Sequence, residues 1–146
     1  MTFLSELKKI LQLFLITILL WSCQKYNHPV PDVPVEKSIN INLPLYTSLQ
    51  GVSGWIYIDG GSRGILVYRA SLDEFVAFDR HGTYNAYEEC DPVYVDSNNV
   101  LNVIDPCSAS TYSILDGTVT NGPAEYPLKQ YKTQFSSGTN QLRIYN

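Results

Sequence analysis

Histidine is nearly missing from this chain: 146 residues carry two, His28 and His81, beside one methionine, two tryptophans and three cysteines. A lone imidazole with no matched Ser or Cys context supplies no nucleophile–base pair, so no catalytic residue and no enzymatic activity are expected. Basic residues are also short, 10 Lys+Arg against 14 Asp+Glu for a net charge of −4. Without a basic stripe, nucleic acid is not an expected partner. No apolar run reaches the roughly 20 residues that a membrane-spanning helix needs. The run Ile10 to Leu20 covers 11 residues and is broken by Gln12 and Thr17. No internal repeat is visible, and beyond residue 22 no 12-residue window carries a helical stripe. The glycines at Gly60, Gly61 and Gly64 precede a strand-like run rather than a helix N-terminus, which reads as turn chemistry and not a phosphate cradle.

What is present begins with an address. Lys8 and Lys9 precede the short apolar run, which ends in Leu20-Trp21-Ser22-Cys23. That ending resembles the lipobox of bacterial lipoproteins, with Trp21 bulkier than usual at its position. The resemblance implies cleavage of a signal peptide, residues 1–22, and lipidation of Cys23. Residues 23–37 carry Pro29, Pro31 and Pro34 at near-alternating positions and read as a lipidated, semi-extended tether. Gln24 gives no sign of inner-membrane retention, and no acidic pair follows Cys23 to suggest surface export. The expected place is the cell envelope, lipid-anchored in the outer membrane and facing the periplasm. Expected partners are the membrane, through the lipid, and an envelope protein whose identity the sequence does not give. With Cys23 assigned to lipid, Cys90 and Cys107 remain, and an even remainder in an oxidising compartment suggests a disulfide.

Residues 38–146 leave room for one domain. Ile39, Ile41 and Leu43 alternate with polar residues as in a half-buried strand. Strands are also expected over 54–59, 65–69, 74–79, 92–95, 100–104 and 111–115, with a closing hairpin from 128–135 and 141–145. Many short strands with Gly, Asn and Pro turns mean an all-β sandwich or small barrel. Trp55 and Tyr57 share one strand face and are expected in the core.

Particular segments narrow this further. They are Gly64-Ile65-Leu66-Val67-Tyr68-Arg69, Phe75-Val76-Ala77-Phe78-Asp79-Arg80, Asp105-Pro106-Cys107-Ser108-Ala109-Ser110-Thr111-Tyr112, Leu115-Asp116-Gly117-Thr118-Val119 and Gly122-Pro123-Ala124-Glu125-Tyr126-Pro127-Leu128. Together they resemble the Rieske iron–sulfur domain across residues 38–146. The resemblance implies a Rieske-like β-sandwich or barrel with a second, loop-bearing β subdomain. A Rieske cluster takes two Cys thiolates and two His imidazoles. Aligned on Tyr112 and Asp116-Gly117, the family pattern Cys-Pro-Cys-His-Gly-Ser-x-aromatic falls on residues 105 to 112. The ligand positions of that loop are then Asp105 and Ser108, and those of the first loop are Gly82 and Tyr84. All four ligands are replaced, so no metal and no cofactor are expected. In many Rieske domains an additional Cys on each loop forms a disulfide; Cys107 matches one directly, and Cys90 lies farther along its loop than in respiratory members.

Using Cys90 and Cys107 as thiolate ligands instead would call for His at 92 and 110, which are Pro92 and Ser110. A zinc site from Cys90, Cys107 and His81 matches no standard spacing, and the reading set against it is a disulfide with an exposed His81. Glu88, Glu89, Asp91 and Asp105 read as a solvated acidic rim, with a calcium site as the competing expectation. The leading expectation is a non-catalytic envelope lipoprotein with a degenerate Rieske fold, structural or interacting. The alternative is a periplasmic Rieske-type [2Fe–2S] electron carrier or oxygenase-associated ferredoxin; a third is a module binding a ligand in the vacated site.

Overall fold

A computed structural model describes residues 27–146. Cys23 and the signal segment lie outside the described residues. The architecture is all-β, as the sequence indicates, with two antiparallel sheets. One is a curled half-barrel ordered β1-β10-β9-β4-β3-β2, built from β1 (Glu36–Asn40), β2 (Trp55–Ile58), β3 (Ile65–Arg69), β4 (Phe75–Asp79), β9 (Gln130–Ser136) and β10 (Gln141–Tyr145). The other is the loop-bearing sheet, ordered β5 (Tyr94–Val95), β6 (Asn102–Ile104), β7 (Thr111–Ser113) and β8 (Val119–Asn121).

The near-continuous apolar runs of β3 and β4 have a simple cause. Side chains alternate between the faces of a strand, and here both faces are covered. Ile65 and Val67 of β3, with Phe75 and Ala77 of β4, join the half-barrel core with Leu49, Leu142 and Ile144. Leu66, Tyr68 and Phe78 turn the other way, into a second core with Val93, Val103, Tyr112 and Ile114. The two strands are therefore a wall between two hydrophobic clusters. Each fully buried aliphatic or aromatic side chain contributes about 1.5–3 kcal/mol.

Several elements differ from the expectation. The first strand begins at Glu36 and ends at Asn40; Leu43 is exposed and Pro44–Gln50 forms a 3₁₀ segment. Proline at the first position of that segment loses no ladder hydrogen bond. Buried Arg69 holds its end, donating to the carbonyls of Leu49 at 3.0 Å and Gln50 at 2.8 Å while lying over Phe75. β8 was not expected, because Val119–Asn121 is three mostly exposed residues with one apolar side chain; it is set by Asp116, which turns the chain by accepting from Thr118 N at 3.1 Å and Thr118 Oγ1 at 2.8 Å. Of the pair expected in the core, Trp55 is half-buried, while Tyr57 is partly exposed beneath the Arg80 guanidinium, 3.7 Å from its ring centre.

The proline-rich segment lies on the domain. Val30 and Val35 are buried. Lys129 Nζ donates to Pro31 O at 2.7 Å and pairs with Asp32 at 2.5 Å, and His28 Nε2 meets Pro127 O at 3.0 Å. No described helix is long and apolar enough to cross a membrane.

Candidate functional site

The candidate site lies where the β4–β5 loop meets the β6–β7 loop. Cys90 and Cys107 are joined there by a disulfide, with Cα atoms 6.1 Å apart. Beneath it sits Asp105, buried and held by its own loop. Its Oδ1 accepts from Cys107 N at 3.0 Å and lies 3.6 Å from Cys90 Sγ, and its Oδ2 accepts from Ser108 Oγ at 2.7 Å. Ser108 Oγ in turn bonds Ser110 Oγ at 2.8 Å, and Ser110 Oγ accepts from Ala124 N at 2.9 Å. The first loop passes so close that a Cβ on Gly82 would sit 2.7 Å from Asp105 Oδ2. Only a residue without a side chain fits there without displacing the carboxylate. Tyr112 ties the loops from below: its hydroxyl lies 3.0 Å from Thr83 Oγ1 and accepts from Thr83 N at 3.3 Å. Burial raises the Tyr112 phenol above its usual range, so it remains a protonated hydrogen-bonding group.

The β2–β3 turn buttresses the first loop. Arg63 reaches across with its guanidinium and donates to the carbonyls of Cys90 and, at 2.9 Å, Glu88. The carboxylate of Asp79, fully buried, accepts from Ser62 N at 2.6 Å, Arg63 N at 3.2 Å, His81 N at 3.0 Å and Tyr131 OH at 2.6 Å. Hydrogen bonds to a charged acceptor are worth about 1.5–3 kcal/mol each and are strongest when buried. Burial, reinforced by the Asp79 carboxylate, pushes the Tyr131 phenol far above its ordinary value. Gly61 adopts φ +62° directly over this carboxylate, so a turn glycine is required both by its backbone and by the contact.

The structure brings together Gly82, Asp105, Ser108, Cys90 and Cys107, and leaves Tyr84 43% exposed at the loop tip. His81, expected to be exposed, is buried: its ring bonds Ser62 Oγ at 2.8 Å and Ala86 O at 2.7 Å. The carbonyl can only accept, so Nε2 carries a hydrogen toward Ala86 O. This Ser–His contact was not visible in the sequence, because the partners come from different turns. The groove beside the disulfide is lined by Arg63, Glu89, Cys90, Asp91, Pro92 and Cys107, so it does not open on Ser62. Asp105 is likewise withdrawn from the expected acidic rim, leaving Glu88, Glu89 and Asp91 exposed. Sulfur and carboxylate atoms of Cys90, Asp105 and Cys107 lie within 4.8 Å of one another, but the two sulfurs are bonded to each other. His81 is not in that group.

The positions aligned with cluster ligands present oxygen or nothing: a hydrogen atom at Gly82, a phenol at Tyr84, a carboxylate at Asp105 and a hydroxyl at Ser108. A [2Fe–2S] unit needs sulfur and imidazole nitrogen, and the Asp105 carboxylate is already packed against the backbone at Gly82. The residues do not fit that group. Asp79, Arg63 and Ser62 escaped sequence reasoning because nothing in their spacing announces a buried carboxylate between two turns.

No protein-family model matches the chain, and no curated protein matches it. Among solved structures it is similar to the ferredoxin of carbazole 1,9a-dioxygenase from Nocardioides aromaticivorans IC177. The identity is 13%, covering 77% of this chain and 97% of that chain, with a TM-score of 0.47.

Proposed function

We propose that the protein is a non-catalytic envelope lipoprotein, anchored through Cys23 in the outer membrane and facing the periplasm, whose Rieske-like domain has lost its [2Fe–2S] ligands and serves a structural or interaction role. The observation that carries this reading is the meeting of Gly82 with Asp105. These are the positions that the family pattern assigns to the two thiolates of a single iron, and here they are in contact across the two loops. The loops are stapled by Cys90–Cys107, of which Cys107 falls directly on a loop cysteine of the family pattern while Cys90 lies farther along its loop. A further support is Ala109, at the glycine position of the family pattern: it holds φ +58°, a conformation natural to glycine. A glycine-like backbone at this position supports descent from a loop that carried glycine there.

The test is metal content. Purified and reconstituted anaerobically with iron and sulfide, the protein is expected to be colourless, with iron far below two atoms per chain. The quadruple variant Gly82→Cys, Tyr84→His, Asp105→Cys, Ser108→His serves as the comparison. A Rieske-type visible spectrum with stoichiometric iron in the wild type would sink this reading and put the electron-carrier alternative in its place.

A further inference from the structure

We infer that the loop tip carrying Tyr84, Tyr87 and Tyr126 is a membrane-contacting surface, seated on the zwitterionic headgroups of the bilayer that holds the lipid anchor. The inference rests on the reading of Cys23 as the lipidated residue and goes beyond it, because it fixes which end of the domain faces the lipid.

β1 runs away from the loop tips, since Glu36 pairs with Tyr145 and Asn40 with Gln141, while β9 starts beside the end of β4, with Ala77 opposite Tyr131. The segment before β1 therefore lies at the loop end. It is not a free spacer there: His28, Pro31 and Asp32 are all bonded to the stretch Pro127–Lys129. Between Cys23 and the first pinned residue, His28, only five residue steps remain, which span at most about 18 Å when fully extended. A lipid on Cys23 consequently holds this end of the domain close to the bilayer, whatever the path of the intervening residues.

The same end presents aromatic surface. Tyr87 is 93% exposed and shares a groove with Asn27, His28, Pro31 and Asp32, immediately where the anchored segment arrives. Tyr84 is exposed one residue from Thr83, whose hydroxyl donates to the backbone carbonyl of Tyr126 at 2.6 Å, which brings the exposed Tyr126 to the same end. Tyrosine suits the headgroup region, with an apolar ring and a wet hydroxyl. Glu88, Glu89 and Asp91 are exposed beside these rings, and their charge disfavours anionic lipid, so the matching surface is zwitterionic.

The test uses the full lipidated chain in phosphatidylcholine vesicles containing lipid brominated near the headgroup. With Trp55→Phe removing the indole of the domain, single reporters are introduced by Tyr87→Trp at the tip or by Leu72→Trp in the β3–β4 turn, which is 71% exposed at the opposite end. The Tyr87→Trp reporter is expected to be quenched several-fold more than the Leu72→Trp reporter. Palmitate incorporation, abolished by Cys23→Ser, is measured in parallel. Incorporated palmitate with equal quenching at both ends overturns the tip inference alone; absence of palmitate from the wild-type chain overturns the anchor and the inference together.

Discussion

Asp79 and Asp105 illustrate how a buried carboxylate is kept in a fold this small. Asp79, at the end of β4, accepts from backbone N–H groups of the β2–β3 turn and of His81, and Asp105 accepts from Cys107 N of its own loop; each adds a hydroxyl donor, Tyr131 for Asp79 and Ser108 for Asp105. Among the described residues no buried side-chain nitrogen or oxygen lacks a partner, as expected where an orphaned buried group costs about 1–3 kcal/mol. Ala109, like Ser53 at φ +66°, has a backbone out of step with its side chain. At φ +58° a Cβ crowds the following carbonyl, an unfavourable term of about 1–2 kcal/mol that glycine escapes. Glycine's greater freedom in the unfolded chain takes back about 0.5–1 kcal/mol. Ala109→Gly is therefore expected to stabilise the domain by up to about 1.5 kcal/mol and raise Tm by a few degrees; a lower Tm by calorimetry would show that Ala109 is not strained. The sequence exposed the aligned positions but not this strain, because φ is a property of the loop, not of the residue. It also could not reveal that His81 is buried, since Ser62 comes from the β2–β3 turn and Ala86 meets the ring only through the folding of the β4–β5 loop they share.

At the scale of elements, β3, β4, β9 and β10 were legible because apolar patterning and turn residues agree there, while β8 and the 3₁₀ segment depend on short local turns. The proline-rich segment was legible as extended but not as docked. Docking is set by buried Lys129, which collects the Pro31 carbonyl and the Asp32 carboxylate, and by His28. The His28 ring accepts from Val30 N on Nδ1 at 3.1 Å and bonds Pro127 O through Nε2, a pair of contacts that only the neutral Nε2–H tautomer makes. Burial holds this imidazole below the ordinary 6.5; the Pro127 carbonyl opposes the shift, Lys129 adds to it, and Asp32 and Asp79 raise it again. A base with a depressed docked pKa binds fewer protons docked than undocked, so docking has its full strength above about 6.5 and weakens as pH falls through and below it. Hydrogen exchange at the Val30 and Val35 amides, corrected for intrinsic rate, is expected to quicken from about pH 7.5 to about pH 5.5. His28→Ala should exchange quickly at both; unchanged protection of the wild type would refute the linkage.

For the whole molecule, the arrangement of the two cores decides how it unfolds. Because β3 and β4 contribute opposite faces to both clusters, neither sheet can lose its packing without exposing the wall of the other. The second sheet is built from strands of two or three residues, too short to persist alone. What holds its loops to the half-barrel is the Cys90–Cys107 disulfide together with Arg63 and the Tyr112–Thr83 contact. The disulfide closes a separation of 17 residues, worth about 3 kcal/mol in the chain-entropy treatment. In a domain of this size each kcal/mol moves Tm by roughly 4–5 °C. Reduction, or Cys107→Ser, is accordingly expected to lower Tm by about 12–15 °C while leaving a single calorimetric transition, since the shared wall keeps the two cores coupled. A second, separate transition in the reduced protein would show that the loop-bearing sheet is an independent unit. A shift of only one or two degrees would show that Arg63 and Tyr112, not the disulfide, carry the connection.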